Sequence, residues 1–306
     1  MKAVSAQNIN KNYRNVQALK DVSLEVDKGE IFGIIGPDGA GKTTFFRILT
    51  TLILADHGTA TVEGFDVVKD YRKIRNRVGY MPGRFSLYQD LSVEENLTFF
   101  ATIFNTTIEE GYDLIKDIYQ QIEPFKTRRA GALSGGMKQK LALCCALIHK
   151  PSVLFLDEPT TGVDPVSRKE FWEMLQRLKN QGITILVSTP YMDEAGLCDR
   201  IALIQDGQFL KTDTPSAIIG DFGEDIWAVY GDSMYSLLLD LRKHDGIDSC
   251  YAFGDTHHIT LKDKSLTKES LYIYLTNLGH KNIHIEPIKA NVEDCFMSLS
   301  RRENKE

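Results

Sequence analysis

Apolar and polar positions alternate through Val22-Ser23-Leu24-Glu25-Val26, and the alternation stops at Lys28-Gly29. That period of two predicts a half-exposed strand followed by a turn. Ile31-Phe32-Gly33-Ile34-Ile35 then runs without a polar break, which suits a strand buried on both faces. It feeds a glycine-rich stretch and a helix predicted to start near Lys42. Residues from about 85 to 150 read as mostly helical, with amphipathic stretches over Val93–Ile103 and Tyr112–Ile122. Val153–Leu156 and Ile183–Val187 are two more buried strands by the same reasoning. Ile201–Ile204 and Gly207–Leu210 flank Gln205-Asp206, the expected turn of a hairpin.

The pattern changes after about Gly220. It reads as a strand (Ile226–Tyr230), a helix (Ser233–Lys243), two strands (Ser249–Phe253 and Thr256–Leu261), a helix (Thr267–Leu278) and a strand (Ile283–Ile288). This β-α-β-β-α-β order is the ferredoxin-like pattern. A last helix, Val292–Arg301, follows, and Arg302–Glu306 is expected to fray. The expected domains are therefore 1–220, with a helical subdomain at about 85–150, and an accessory domain at 221–306.

Bulk composition narrows the function classes. A chain of 306 residues has room for an ample core. Its net charge of −6 and pI near 5.7 argue against a general nucleic-acid grip, which needs a basic face. No apolar stretch approaches the roughly 18 residues that span a bilayer. The opening MKAVSAQNINKNY lacks the apolar centre of a signal peptide. Cys144, Cys145, Cys198, Cys250 and Cys295 show no metal-type or redox-type spacing, so they read as buried thiols of a reduced, cytoplasmic protein.

Gly36-Pro37-Asp38-Gly39-Ala40-Gly41-Lys42-Thr43-Thr44 has the form G-x-x-x-x-G-K-[ST] between a buried strand and a helix. Its glycines let backbone N–H groups turn inward around phosphates with no β-carbon in the way. Lys42 adds a positive charge toward the β- and γ-phosphates, and the Thr43 hydroxyl is placed for Mg²⁺. The helix start offers unpaired N–H groups to the same anion. Asp157 and Glu158 follow the strand residues Leu154-Phe155-Leu156, at the strand end where ligands of parallel sheets sit. Asp157 then faces Mg²⁺ through water, and Glu158 serves as base or water-positioner for attack on the γ-phosphate. Ser134, Gly135 and Gly136 precede an apolar helix. Ser134 reads as an N-cap, and with the two glycines it forms a second anion site. One nucleotide needs one P-loop, so this second site implies the ATP of another subunit.

These motifs, with Gly162-Val163-Asp164-Pro165, resemble those of the ATP-binding subunit of ABC transporters over roughly residues 3–220. The P-loop and Leu133-Ser134-Gly135-Gly136-Met137-Lys138-Gln139-Lys140 are similar to the efflux branch with separate type-2 export permeases, and especially to one half of tandem-ATPase multidrug efflux proteins. Val292-Glu293-Asp294-Cys295-Phe296 resembles the C-terminal helix motif of that branch. The resemblance implies an α/β P-loop NTPase fold of the ABC type, with an antiparallel β subdomain and a helical signature subdomain. It also implies Tyr13 stacked on adenine, with ATP and Mg²⁺ as cofactors. The implied partners are a second ATP-binding subunit or a second copy, integral-membrane permeases and a periplasmic adaptor protein. The implied location is the cytoplasmic face of the cell membrane.

Two positions depart from the family pattern. After Ser188-Thr189, where a switch histidine is expected, stands Pro190, which has neither a donor side chain nor an N–H. After Gly79-Tyr80-Met81-Pro82, where a glutamine is expected, stands Gly83, with Arg84 and Gln89 as candidate substitutes. Losing one donor to transition-state charge costs about 10²–10³ in rate. The pair points to a degenerate site in an asymmetric dimer. A catalytically competent homodimeric exporter ATPase and a soluble, non-transport ABC regulatory protein are the alternatives.

Overall fold

The computed structural model describes residues 2–84, 86–262 and 265–303. The chain divides into two compact units, Met1–Pro215 and Ser216–Glu306.

In the first unit, Lys2–Tyr13 and Val16–Asp27 form a long antiparallel pair, extended by His57–Val62 and Phe65–Asp66. Leu19, Val22, Leu24 and Val26 are all buried, but the gap from Leu19 to Val22 breaks the period of two. Asp21 absorbs the extra residue in a left-handed conformation (φ 53°), where the strand register slips. A second sheet runs in the order Gln208–Asp213, Arg200–Gln205, Ile31–Ile35, Thr184–Thr189, Val153–Asp157, Val78–Met81. Its neighbours are parallel except for the edge hairpin, whose turn is Asp206-Gly207 with both φ values positive. The turn is thus one residue later than expected, because Gln205 still pairs with Gln208. Ile31–Ile35 and Val153–Asp157 are buried along their whole length. Phe46 packs edge-on against Phe155 at 5.5 Å and fixes the helix Lys42–Leu49 to the sheet.

The stretch between these strands holds the helices Val93–Ile103, Ile108–Tyr119 and Gly135–Leu147. Ser92 and Glu95 form a reciprocal capping box for the first. The second starts four residues before the expected Tyr112, because Thr107 caps it and Glu109 and Glu110 suit its first turn. Gly111 lies within that second helix. Here it is a packing residue, since a β-carbon would collide with the Ile148 carbonyl.

The second unit contains Ile226–Tyr230, Met234–Lys243, Ile247–Phe253, Thr256–Leu261, Lys268–Asn277 and His284–Ile288. Its sheet order is Ile247–Phe253, Thr256–Leu261, Ile226–Tyr230, His284–Ile288, with every neighbour antiparallel. This is the ferredoxin-like arrangement. The last helix, Val292–Glu303, is held by the Asp294–His258 bond (2.8 Å) and by Arg301 on both carboxylate oxygens of Asp248 (2.8 Å each). It continues past Arg301, where fraying was expected to begin, and residues 304–306 lie outside those described. All five cysteines are free and buried, and burial pushes the Cys144, Cys145, Cys198 and Cys250 thiols up.

Candidate functional site

The Ile31–Ile35 strand ends at Gly36, whose N–H donates to Thr189 O (3.2 Å). A β-carbon at Gly36 would strike the Ile204 carbonyl, so only glycine passes there. Gly39 and Gly41 take φ values of 81° and 106°, which turn the loop over the start of the Lys42–Leu49 helix. That helix has no side-chain cap and no acidic residue in its first turn. Its first N–H groups are left for an external anion. Gln17, Ala18, Gly39, Lys42, Thr44 and Glu158 are among the residues lining a cavity of about 400 Å³ at this point.

Lys42 is 3% exposed and donates to the carbonyls of Gly36 (2.8 Å) and Pro37 (2.9 Å). Its Nζ also lies 3.4 Å from Glu158 Oε1. Thr43 Oγ1 donates to Asp157 Oδ1 at 3.1 Å, and Ser188 Oγ donates to the same oxygen at 2.6 Å. Asp157 and Ser188 are direct partners across the parallel strands. Glu158 adopts a left-handed backbone (φ 49°), which its N–H secures by donating to Ser188 O (3.0 Å) and Ser188 Oγ (3.1 Å). A non-glycine residue in this region is strained and is held there by its surroundings. Burial pushes the Tyr80 phenol up to about 12, and the neighbouring Asp157 carboxylate adds to that shift. Asp157 thus has hydroxyl donors around it and a phenol that stays neutral. The hydroxyl of Thr43 and the carboxylate of Asp157, beside an anion-binding helix start, are hard oxygen donors that fit Mg²⁺ shared with phosphates.

Gly83 lies against the same strand end. A β-carbon there would stand 3.0 Å from Asp157 O and 3.6 Å from Glu158 Cβ. Arg84 is exposed, and the Gln89 carbonyl accepts from Gly131 N at 2.9 Å. Neither lines the cavity around Lys42. Pro190 follows Thr189, whose hydroxyl donates to Glu194 Oε2 at 2.6 Å and accepts from Tyr191 N at 3.1 Å. Thr160 donates to the other Glu194 oxygen at 2.8 Å. Glu194 is 1% exposed, so the turn bearing Pro190 is tied through a buried carboxylate to the loop after Glu158. Arg168 lies 4.1 Å over the Tyr191 ring.

Ser134 caps the Gly135–Leu147 helix, accepting from Met137 N at 3.4 Å. Ser134 and Gly135 are exposed, and a β-carbon at Gly136 would meet Ser167 Oγ at 2.9 Å. Ser134, Gly135 and Gly136 stand outside the Lys42 cavity. Tyr13 is 43% exposed at the end of its strand, with the Lys11 ammonium 5.7 Å from its ring, and it too stands outside the cavity. Ser188, Tyr80 and Glu194 were not candidates from the sequence. Ser188 could have been found from the parallel register that sets it opposite Asp157.

Residues 19–161 match the ABC transporter family. Over 203 residues the chain is 44% identical to the probable multidrug ABC transporter ATP-binding protein YbhF of Escherichia coli K12. That match covers 66% of this chain and 35% of YbhF, so the chain spans about a third of that relative. It is 34% identical over 312 residues to the Nod factor export ATP-binding protein I of Burkholderia lata, covering 98% of this chain and 97% of that protein. Among solved structures, the ATP-binding subunit of an ABC transporter superposes with a TM-score of 0.66 at 26% identity, covering 79% of this chain and all of that one. A dimeric ATP-binding cassette in a post-hydrolysis state, bound to ADP and Pi, gives a TM-score of 0.63 at 26% identity, with 69% of this chain and 98% of that chain covered.

Proposed function

The chain belongs to the ABC transporter ATP-binding family, and on that premise we propose that it energises an exporter as one ATP-binding subunit of an asymmetric pair. The N–H groups of Gly39–Thr44 and the Lys42 ammonium would take the phosphates of ATP. Thr43 and Asp157 would hold Mg²⁺, which when bound neutralises charge on the β- and γ-phosphates. Glu158 would orient the attacking water and accept its proton. Export follows from the names of the relatives, a probable multidrug transporter protein and a Nod factor export protein. Among the described residues no helix is long and apolar enough to cross a membrane. In this reading separate permeases would pass the cargo. Those permeases would hold this subunit at the cytoplasmic face.

One observation carries the degenerate-site reading. Lys42, Thr43, Asp157 and Glu158 converge, whereas the positions flanking them carry Gly83 and Pro190. Neither can donate a side-chain hydrogen bond to a γ-phosphate or its attacking water. Ser134, Gly135 and Gly136 stand outside the chain's own cavity, which supports their use on a partner's ATP. The retained Glu158, 3.4 Å from Lys42, favours a second reading in which a homodimer hydrolyses ATP at both sites.

Mutation of the assembled transporter separates the two. Ser134→Arg should abolish most ATPase activity, because a bulky cation blocks the helix start serving the partner's nucleotide. Glu158→Gln should cost much less. Equal damage from the two would favour the homodimer.

A further inference from the structure

Residues 69–77 carry Lys69, Arg72, Lys73, Arg75 and Arg77 against a single acid, Asp70, in a chain of net charge −6. All five cations are exposed, while Ile74 is fully buried and anchors the short helix Tyr71–Arg75 beneath them. Four of the five lie over aromatic rings. Lys73 and Arg77 lie over the Phe65 ring at 5.2 and 5.0 Å, and Arg72 and Arg75 lie over the Tyr71 ring at 5.7 and 5.2 Å. Lys73 also bonds Asp70 at 2.8 Å. Lys73, Arg77 and Lys150 converge with Asn76 and Ser152 on a hollow of about 410 Å³ that has no acidic side chain in its wall. None of these residues lines the nucleotide cavity.

The cations are interleaved with exposed apolar groups. Val68 is 55% and Tyr71 38% exposed. Arg75 bonds both the hydroxyl and the carbonyl of Thr51 at 2.8 Å. A solvated charge run does not need such companions. Cations that meet phosphates, beside apolar side chains that enter the layer below them, match the interface of an anionic bilayer.

We propose that the surface built from Arg72, Lys73, Arg77 and Lys150, with Val68 and Tyr71, docks on an anionic phospholipid headgroup layer. It would add a second, lipid-dependent contact to the one made by the permeases. The proposal rests on the exporter reading only for its placement beside a membrane.

The test is co-sedimentation of the purified full chain with vesicles of phosphatidylcholine alone or mixed with phosphatidylglycerol. Binding should require phosphatidylglycerol and disappear as salt rises from about 0.05 to 0.5 M, because surface charge is then screened. Each Lys or Arg near such a surface contributes about fivefold in partition. The variant Arg72→Gln/Lys73→Gln/Arg77→Gln/Lys150→Gln should therefore bind at least about a hundredfold more weakly. Lys281→Gln/Lys289→Gln, on the other compact unit, should leave binding unchanged. Far-ultraviolet circular dichroism on each sample reports folding, and failure of a folded parent to bind nucleotide would sink the ATP reading and not this one. Equal binding to both vesicle types, no binding to either, or full binding by the quadruple variant overturns the proposal. Capture of an acidic peptide with no vesicle binding overturns it in favour of a protein partner.

Discussion

Lys42 Nζ and Glu158 Oε1 stand 3.4 Å apart at the mouth of the phosphate loop, one side chain almost fully buried and the other about a quarter exposed. The lysine that would grip a phosphate is held by the carboxylate that would activate water. The loop carbonyls of Gly36 and Pro37 occupy its remaining donors. A phosphate taken by Lys42 would compete with these contacts, and would free Glu158. Glu158 holds this place with a strained, left-handed backbone (φ 49°).

Glu158→Gln should therefore bind ADP more tightly than the parent, by about fivefold, since a neutral acceptor competes less well than a charged one. ADP is the ligand of choice because it cannot be turned over. Calorimetry on the purified chain measures the difference. Unchanged or weaker binding would mean that the pair does not compete with phosphate.

Gly83→Gln alone should destabilise the chain by about 1 kcal/mol, the low end of overpacking costs. The new β-carbon starts 3.0 Å from the Asp157 carbonyl, and a backbone carbonyl in a central strand yields little. Urea denaturation reports the change. A fully neutral substitution would show that the loop after Met81 moves aside freely.

Burial holds His149 below its ordinary value of 6.5, and the bond to Val78 O only partly offsets this. The folded state thus favours the neutral ring, and the unfolded chain binds the proton first as pH falls. This contribution to stability is complete above about pH 6.5 and is lost as the pH drops through the lowered folded value. Denaturation midpoints should fall on acidification over that window, and the slope should be shallower in His149→Gln. Identical slopes would assign the acid sensitivity to other groups. The His149 ring stacks on Phe104 at 3.7 Å, so the variant should also be weaker at every pH.

Much of this architecture was legible because the signals were local. The unbroken run Ile31–Ile35, the glycines after it and Lys42 fix the strand, loop and helix start within a few residues. Leu154-Phe155-Leu156 likewise placed Asp157 and Glu158 at a strand end. What stayed hidden depends on partners distant in sequence. Ser188 reaches Asp157 only through strand register, and Glu194 binds Thr160 only after the chain has returned across the sheet. The packing role of Gly111 depends on Ile148, far away in sequence. The cation cluster at 69–77 is masked in the bulk composition, because the net charge of the chain is negative.

In the proposed reading this chain would hold ATP in a site short of γ-phosphate contacts. The direct measurement is phosphate release from the purified chain at saturating Mg·ATP, beside a fluorescent ATP titration, for the parent and for Pro190→His/Gly83→Gln. Binding should be saturable in both, release in the parent well below the roughly 1–10³ s⁻¹ common to enzymes, and release in the double variant clearly higher. Turnover by the parent within that range, or a double variant no faster than the parent, would contradict that reading.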